Sequence, residues 1–405
     1  MTTSTDLAAM PWKAPEPHEL PEWRMRMCEY TGGEESMRSL AEAINAGQAA
    51  VFPAVPGMNA SPGAIASVLL ARSEERRLRE AQLYYATADM TSLALAAAAV
   101  PPTEPVKPSR LPAPYGFMVF AEPIGGYSMD VADVLSGGPM GREGAHATVT
   151  TPIVAVSWGL WSPSEVSVTD GPTGGPAVRW FNQRTRDGLE PIPRHFDGVW
   201  LTFYAPVNSA FEGLAPEIII GTAPNGAPMT AGDIRSHPRP NPLTWDNEMA
   251  LAFGVPFGEP EPDTTKEWAQ VVYTAWQLMS QTGKTQLTET EDIPRNRAGR
   301  KRDHRAGITG PSDVRIVNVH TAHRPSRAAA EQDAAASTGR RAPEWSCRWP
   351  VRPYRRNTCL NPRAHSDNGC EHEDRIVPPH IKGPADKPLK LGETVHLWDH
   401  QPEDE

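Results

Sequence analysis

Val199-Trp-Leu-Thr-Phe-Tyr204 decides the fold class of this 405-residue chain. Its β-branched and aromatic side chains run between Gly198 and Pro206, a composition and length that suit a strand. The same pattern recurs on either side, at residues 116–120, 153–160, 178–181 and 217–220, each run bounded by turn-forming residues. These runs predict a largely antiparallel sheet within a central module over residues 107–293. The turn-rich stretches 136–144 and 170–176 between them do not open a helix directly after a strand, so neither is a phosphate cradle.

Helical periodicity frames this module. Residues 34–46 place Met37, Leu40, Ala41 and Ile44 at i, i+3, i+4 and i+7, a core-facing helix. Asn59-Ala-Ser-Pro62 supplies a cap followed by proline at the first helical position, where the missing N–H would lack a partner in any case. One long helix, or two broken ones, is expected to run from there to about Ala99. Within it, Arg72-Ser-Glu-Glu-Arg-Arg-Leu-Arg-Glu80 sets Glu75 against Arg79 and Arg76 against Glu80, and reads as a solvated face. The prolines between Val100 and Pro108 cannot continue the helix. Beyond the sheet, Thr264-Thr-Lys-Glu267 forms a capping box. It precedes a helix over 268–280 whose Trp268, Val271, Val272, Ala275, Trp276 and Met279 make one apolar stripe for the core. Thr282-Gly-Lys-Thr285 resembles the end of a Walker A loop, but Leu278 stands where the first glycine belongs, and the motif is discarded.

The chain therefore reads as α+β. Residues 1–33 form an extended arm, 34–106 a helical segment with a Pro-rich linker, and 107–293 the central β-rich module with its closing helix. Residues 294–344 are a basic arm, a strand (314–320) and a surface excursion, and 345–405 a small C-terminal β module with an acidic tail. Apolar residues make up only 39% of the chain, below the roughly 45–50% of an ordinary domain, and 43 prolines and 32 glycines point to much irregular connection. The longest apolar run, residues 93–100, is far short of the roughly 20 residues that cross a bilayer. The opening MTTSTDLAAMPWK lacks the basic-then-apolar order of a secretory signal. A cytoplasmic protein with no membrane partner is expected.

The net charge of −10 hides an internal asymmetry. Residues 294–363 hold sixteen Lys and Arg against five acids, or +11, which leaves 23 basic and 44 acidic residues, or −21, elsewhere. Arg295, Arg297, Arg300, Lys301, Arg302 and Arg305 fall within one nearly apolar-free stretch, a flexible or helical basic arm. Such an arm binds phosphates through counterion release, or else neutralises the chain's own acidic part. Further on, Arg348, Arg352, Arg355 and Arg356 interleave with Trp345, Trp349 and Tyr354, an arrangement in which aromatics stack on bases between cations, or on the arginines themselves. The leading expectation is a nucleic-acid-associated protein. The alternative is a protein-interaction or regulatory partner, as in a toxin–antitoxin pair, and a nuclease built on His320, His323, His380 and Glu373 is a third reading.

Cysteines concentrate at the C-terminal end. Cys359, His365, Cys370 and His372 are the set that would hold a small structural zinc, although the spacing has no Cys-x2-Cys knuckle. A Cys359–Cys370 pair and unliganded cysteines are the other readings. No Gly-x-Ser-x-Gly elbow, His-Glu-x-x-His helix or paired-carboxylate pattern is present, and no nucleotide cofactor is expected.

From about Pro114 onward the sequence resembles a family of uncharacterised proteins from actinobacterial phages, plasmids and integrated mobile elements. The shared blocks are Leu111-Pro-Ala-Pro-Tyr-Gly-Phe-Met-Val-Phe-Ala-Glu-Pro123, Ile153-Val-Ala-Val-Ser-Trp158, Val199-Trp-Leu-Thr-Phe-Tyr204, Trp276-Gln-Leu-Met-Ser-Gln281, the basic run with its strand, and the module from Trp349 to Trp398. In that last module, Val351-Arg-Pro-Tyr-Arg355 and Pro379-His-Ile-Lys-Gly-Pro384 occupy the family's positions. Pro353 and Tyr354 stand where the family has Gly and His, so an acid–base role for that histidine does not transfer, and the cysteine cluster is not part of the pattern. The resemblance implies a mobile-element context and carries no activity.

Overall fold

A computed structural model describes residues 12–319, except 48, 56–60, 103, 131–147, 164–177, 186–187, 208, 213, 223–225, 237–238, 259–263 and 282–285, together with 349–351, 354–360, 372–377 and 380–382. The chain divides into two compact units, Met1–His320 and Thr321–Glu405, each taken by itself.

In the first unit the strands are β1 (Val51–Ala54), β2 (Gln82–Ala86), β3 (Tyr115–Phe120), β4 (Gly125–Asp130), β5 (Thr148–Ile153), β6 (Ala155–Trp161), β7 (Arg179–Thr185), β8 (Gly188–Pro191), β9 (Gly198–Pro206), β10 (Ile219–Thr222), β11 (Pro228–Thr230), β12 (Leu243–Ala252), β13 (Thr288–Ile293) and β14 (Val314–Val319). Seven of them form one sheet in the order β12-β9-β6-β3-β2-β14-β13. The sheet is mostly antiparallel, as expected, with β2 parallel to both β3 and β14. Helices α1 (Leu20–Thr31), α2 (Glu34–Asn45), α3 (Pro62–Glu80) and α4 (Ala88–Ala98) precede or interrupt it, and the helices Thr265–Met279 and Arg297–Arg305 lie before its last strands, β13 and β14. The protein is α+β.

Val199–Tyr204 lies in this sheet between β12 and β6, and all six of its side chains are buried. Alternation along β9 sends Leu201 and Phe203 to one face and Trp200, Thr202 and Tyr204 to the other. On the first face the Thr265–Met279 helix lays down Trp268 and Trp276, 2% and 0% exposed. Trp268 packs edge-on against Phe203 at 5.5 Å, and Trp276 meets Trp158 at 5.0 Å. Each buried indole contributes about 2–3 kcal/mol. Trp158 in turn lies across β3 where residue 116 is glycine; a Cβ there would sit 2.1 Å from the indole. On the other face Trp161, Trp180 and Trp200 form an aromatic box with centroids 5.0–5.7 Å apart.

Several expectations are corrected. The stretch expected as an extended arm contains α1, because Leu20, Met27 and Cys28 fall on one helical face and are buried. Of the one long helix or two broken ones expected up to Ala99, two are found, α3 and α4, but strand β2, whose Leu83 and Tyr84 are buried in the sheet, separates them. The single run 153–160 is two strands, with β5 ending at Ile153 and β6 starting at Ala155. Strands β12 and β13 were not foreseen; the first is mostly half-buried and the second mostly exposed, so neither shows a continuous apolar signal.

The charged segment of α3 is also more than a solvated face. Arg72–Glu75, Arg79–Glu75 and Arg76–Glu80 pair near the surface as the spacing suggests. Glu74 and Arg77, however, face the sheet at 0% and 3% side-chain exposure and pair at 2.6 Å. The Glu74 carboxylate also accepts hydrogen bonds from the hydroxyls of Ser157, Tyr204 and Thr202, the last at 2.7 Å. Arg77 donates to Ser73 Oγ at 2.7 Å and lies 5.0 Å over the Trp200 ring. Burial pushes the carboxyl upward, but Arg77 and the three hydroxyls outweigh it and hold it below the usual glutamate range.

In the second unit β15 (Trp349–Val351) pairs with β18 (His380–Lys382), and β16 (Tyr354–Cys359) pairs with β17 (His372–Val377), both antiparallel. A small β module was expected here. Strands β15 and β18, some thirty residues apart in sequence, are thus hydrogen-bonded neighbours, with Pro350 opposite Ile381.

Candidate functional site

The basic arm is the helix Arg297–Arg305, and its construction separates its cations into two sets. Asn296 caps it, its side-chain oxygen accepting from the Gly299 N–H at 2.7 Å. Gly307, at φ +74°, ends it in the left-handed region that glycine adopts without strain. Gly299, Asp303 and Ala306 recur at i, i+4 and i+7 and define the inward face, with the exposed Arg302 at its edge. Asp303 is 1% exposed and accepts from Arg295 Nε and Nη2, both at 3.2 Å. Arg295 also pairs with Glu22 of α1 at 2.6 Å, and Arg302 pairs with the same carboxylate at 2.7 Å. Partial burial raises the Glu22 carboxyl, and the two arginines more than reverse this, leaving it below its ordinary value.

Arg24, two residues further along α1, holds the segment that follows the helix. Its buried guanidinium donates to the carbonyls of Ala81 and Pro311 at 2.7 and 2.8 Å, and to Ser312 Oγ at 3.2 Å. Burial lowers it to about 10. Arg79 of α3 donates to the Ala306 carbonyl, while its own carbonyl accepts from the Thr309 and Gly310 N–H groups. Both ends of the basic helix are therefore tied to α1 and α3. The flexible alternative for the arm is set aside.

The outward face carries Arg297, Arg300, Lys301, His304 and Arg305, at i, i+3, i+4, i+7 and i+8, all exposed. They line one shallow depression of about 500 Å³ containing no acidic side chain. Among the described residues, Arg297, Lys301 and Arg305 make no ion pair, and the Arg300 guanidinium donates to the Arg295 carbonyl. Of the six cations that the sequence singles out here, four thus face solvent together without an acidic partner among the described residues, while Arg295 is enclosed by Glu22 and Asp303 and Arg302, itself exposed, pairs with Glu22.

The C-terminal candidates assemble less completely. Arg348 and Arg352 lie outside the described residues. Arg355 is half-buried and Arg356 exposed on β16, the latter opposite Arg375. For the metal set, Cys359 and His372 face each other in the β16–β17 register, and His372 Nδ1 lies 2.9 Å from Asn357 Oδ1. His365 and Cys370 lie outside the described residues, among which no group of three potential ligands is brought together. His320 and His323 are likewise outside them, and Glu373 accepts from Arg375 at 3.1 Å.

Sequence reading missed a second concentration of acid groups, on β12. The β9–β12 register shifts between Trp245 and Asn247, and this bulge sets Asp246 apart. Tyr127 donates to Asp246 Oδ1 at 2.7 Å and stacks on Trp268 at 6.1 Å. Burial raises the Asp246 carboxyl to about 6, and the Tyr127 hydrogen bond only partly offsets this. Glu248, 4% exposed, accepts from Val51 N–H and Trp245 Nε1, both at 2.9 Å, and burial raises it too. The only available signal was Trp245-Asp-Asn-Glu248 itself, which reads as a polar loop. Because the folded value of Asp246 lies above its unfolded value of 3.8, its effect on stability is neutral below pH 3.8 and turns unfavourable as pH rises toward 6. Asp246→Asn, whose amide oxygen still accepts from Tyr127, is expected to gain about 1–3 kcal/mol at pH 7.5 in urea denaturation and nothing at pH 3.5. An equal gain at both pH values counts against this account.

No family model, no curated protein and no solved structure matches this chain. Among the described residues no helix is long and apolar enough to cross a membrane.

Proposed function

We propose that this is a cytoplasmic nucleic-acid-associated protein of a phage or mobile element, holding phosphates on the outward face of the Arg297–Arg305 helix. One observation carries this reading: the chain spends its local acids on Arg295 and Arg302 and leaves Arg297, Arg300, Lys301 and Arg305 on a single exposed face. A surface serving only internal neutralisation would be paired throughout. Anchoring at both ends keeps the four cations in register without an ordering cost at binding. Arg355 and Arg356, with Arg348 and Arg352, are assigned a supporting contact in the second unit. Zinc on Cys359, His365, Cys370 and His372 would be structural in this scheme.

The test is a salt titration of binding to random-sequence DNA and RNA, because affinity carried by phosphates falls with log salt in proportion to the contacts made. Binding with a steep negative slope supports the reading. A protein partner captured from the host that survives nuclease treatment, with no nucleic-acid binding, would favour the regulatory-partner alternative.

A further inference from the structure

Beside the basic helix lies a groove of about 440 Å³ that the phosphate contacts leave unused. Pro114 and Tyr115 line it together with Thr309 and Pro311, and Gln82 and Glu80 add polar groups to the lining. Thr309 comes four residues after Arg305, at most about 14 Å of extended chain, and the turn between them is fixed by the bonds from Arg79 to Ala306 and from Thr309 and Gly310 to Arg79. Arg76, half exposed, donates to the Tyr115 hydroxyl at 3.2 Å, with its guanidinium over the ring and 3.6 Å from Glu80. The lining thus offers two prolines and an aromatic ring beside a carboxylate, and the Arg76 cation lies against both Tyr115 and Glu80.

The geometry points to an unpaired nucleobase as the occupant, from the same strand whose phosphates the helix holds; this inference rests on the proposed function. A base offers flat apolar faces to Tyr115, Pro114 and Pro311 and a polar edge to Glu80, while its own phosphate reaches Arg76. A carboxylate accepts from an exocyclic amino group, as on cytosine, and repels the carbonyl that thymine or uracil places there. A base still paired in a duplex cannot enter, so the protein prefers single strands that carry amino-bearing bases.

The experiment measures binding of the full chain to twelve-nucleotide oligo-dC, oligo-rC and oligo-dT and to a twelve-base-pair duplex, at one salt concentration. Oligo-dC or oligo-rC is expected to bind about tenfold more tightly than the duplex and more tightly than oligo-dT, and the tighter of the two identifies the polymer. Thr309→Trp fills the groove from an exposed position and Tyr115→Leu removes the ring; both are expected to abolish the preference, while Tyr115→Phe keeps it. Equal affinity for single and double strands, or a preference that survives both variants, overturns the groove while leaving the basic helix intact. Equal affinity for oligo-dC and oligo-dT overturns the role of Glu80. No binding to any of the four overturns the proposed function as well.

Discussion

Glu74→Gln destabilises the first unit by about 3–5 kcal/mol, the usual cost of leaving one partner of a buried ion pair without its counter-charge. Arg77, 3% exposed, then keeps a full charge at the helix–sheet interface, and the hydroxyls of Ser157, Thr202 and Tyr204 lose a charged acceptor for a neutral one. For a unit of this size the loss corresponds to a fall in Tm of roughly 4–8 °C. The pH dependence gives a second readout. The folded carboxyl lies below its ordinary value of 4.5, so its stabilisation is complete above that pH and is lost as pH falls through the folded value. Wild type should therefore lose stability on acidification more steeply than the Glu74→Gln variant, and the two curves should converge in acid. Glu75→Gln, one residue away, costs less, about 1 kcal/mol, because Arg72 and Arg79, which pair with it, keep access to solvent at 61% and 31% exposure. A Glu74→Gln protein as stable as wild type at pH 7 would show that the network contributes nothing net.

Replacing Arg297, Arg300, Lys301 and Arg305 together by Ala lowers affinity for random-sequence nucleic acid at least hundredfold near 0.1 M salt. The slope of log affinity against log salt becomes shallower by roughly 3–4, since each lost phosphate contact removes about 0.9. Thermal stability barely changes, because none of the four makes an ion pair with described residues of the unit. Arg295→Gln gives the opposite pattern. It strips Asp303, 1% exposed, of its partner and costs stability, yet leaves the slope unchanged while the helix stays folded. An unchanged slope in the fourfold variant would sink the basic-face reading.

The comparison between these two groups of arginines shows how far the sequence reaches. Arg295–Arg305 is legible as a cationic cluster, and its 3.6-residue period allows two faces to be drawn. Which face turns inward depends on Glu22, more than 270 residues away in the chain, and on α1, which its proline-rich surroundings disguise as an arm. The strand and helix that carry dense apolar signal, Val199–Tyr204 and the tryptophan helix, stand where their patterns place them. Strand β12 stayed hidden because its side chains are half-buried and its acidic residues find partners on strands of other sheets, Asp246 with Tyr127 and Glu248 with Val51. Glu74 was hidden for a related reason. On a helix, five charged residues within seven positions look solvated unless the opposing sheet supplies hydroxyls.

By itself the sequence determined the α+β class, the buried tryptophans and the separation of charge into −21 and +11, because composition and periodicity are local properties of the chain. Tertiary structure alone decided which cations remain exposed, where a charged pair is enclosed, and that a groove opens beside the basic helix. Each of these depends on what burial and pairing do to a group, and those partners come from segments distant in sequence.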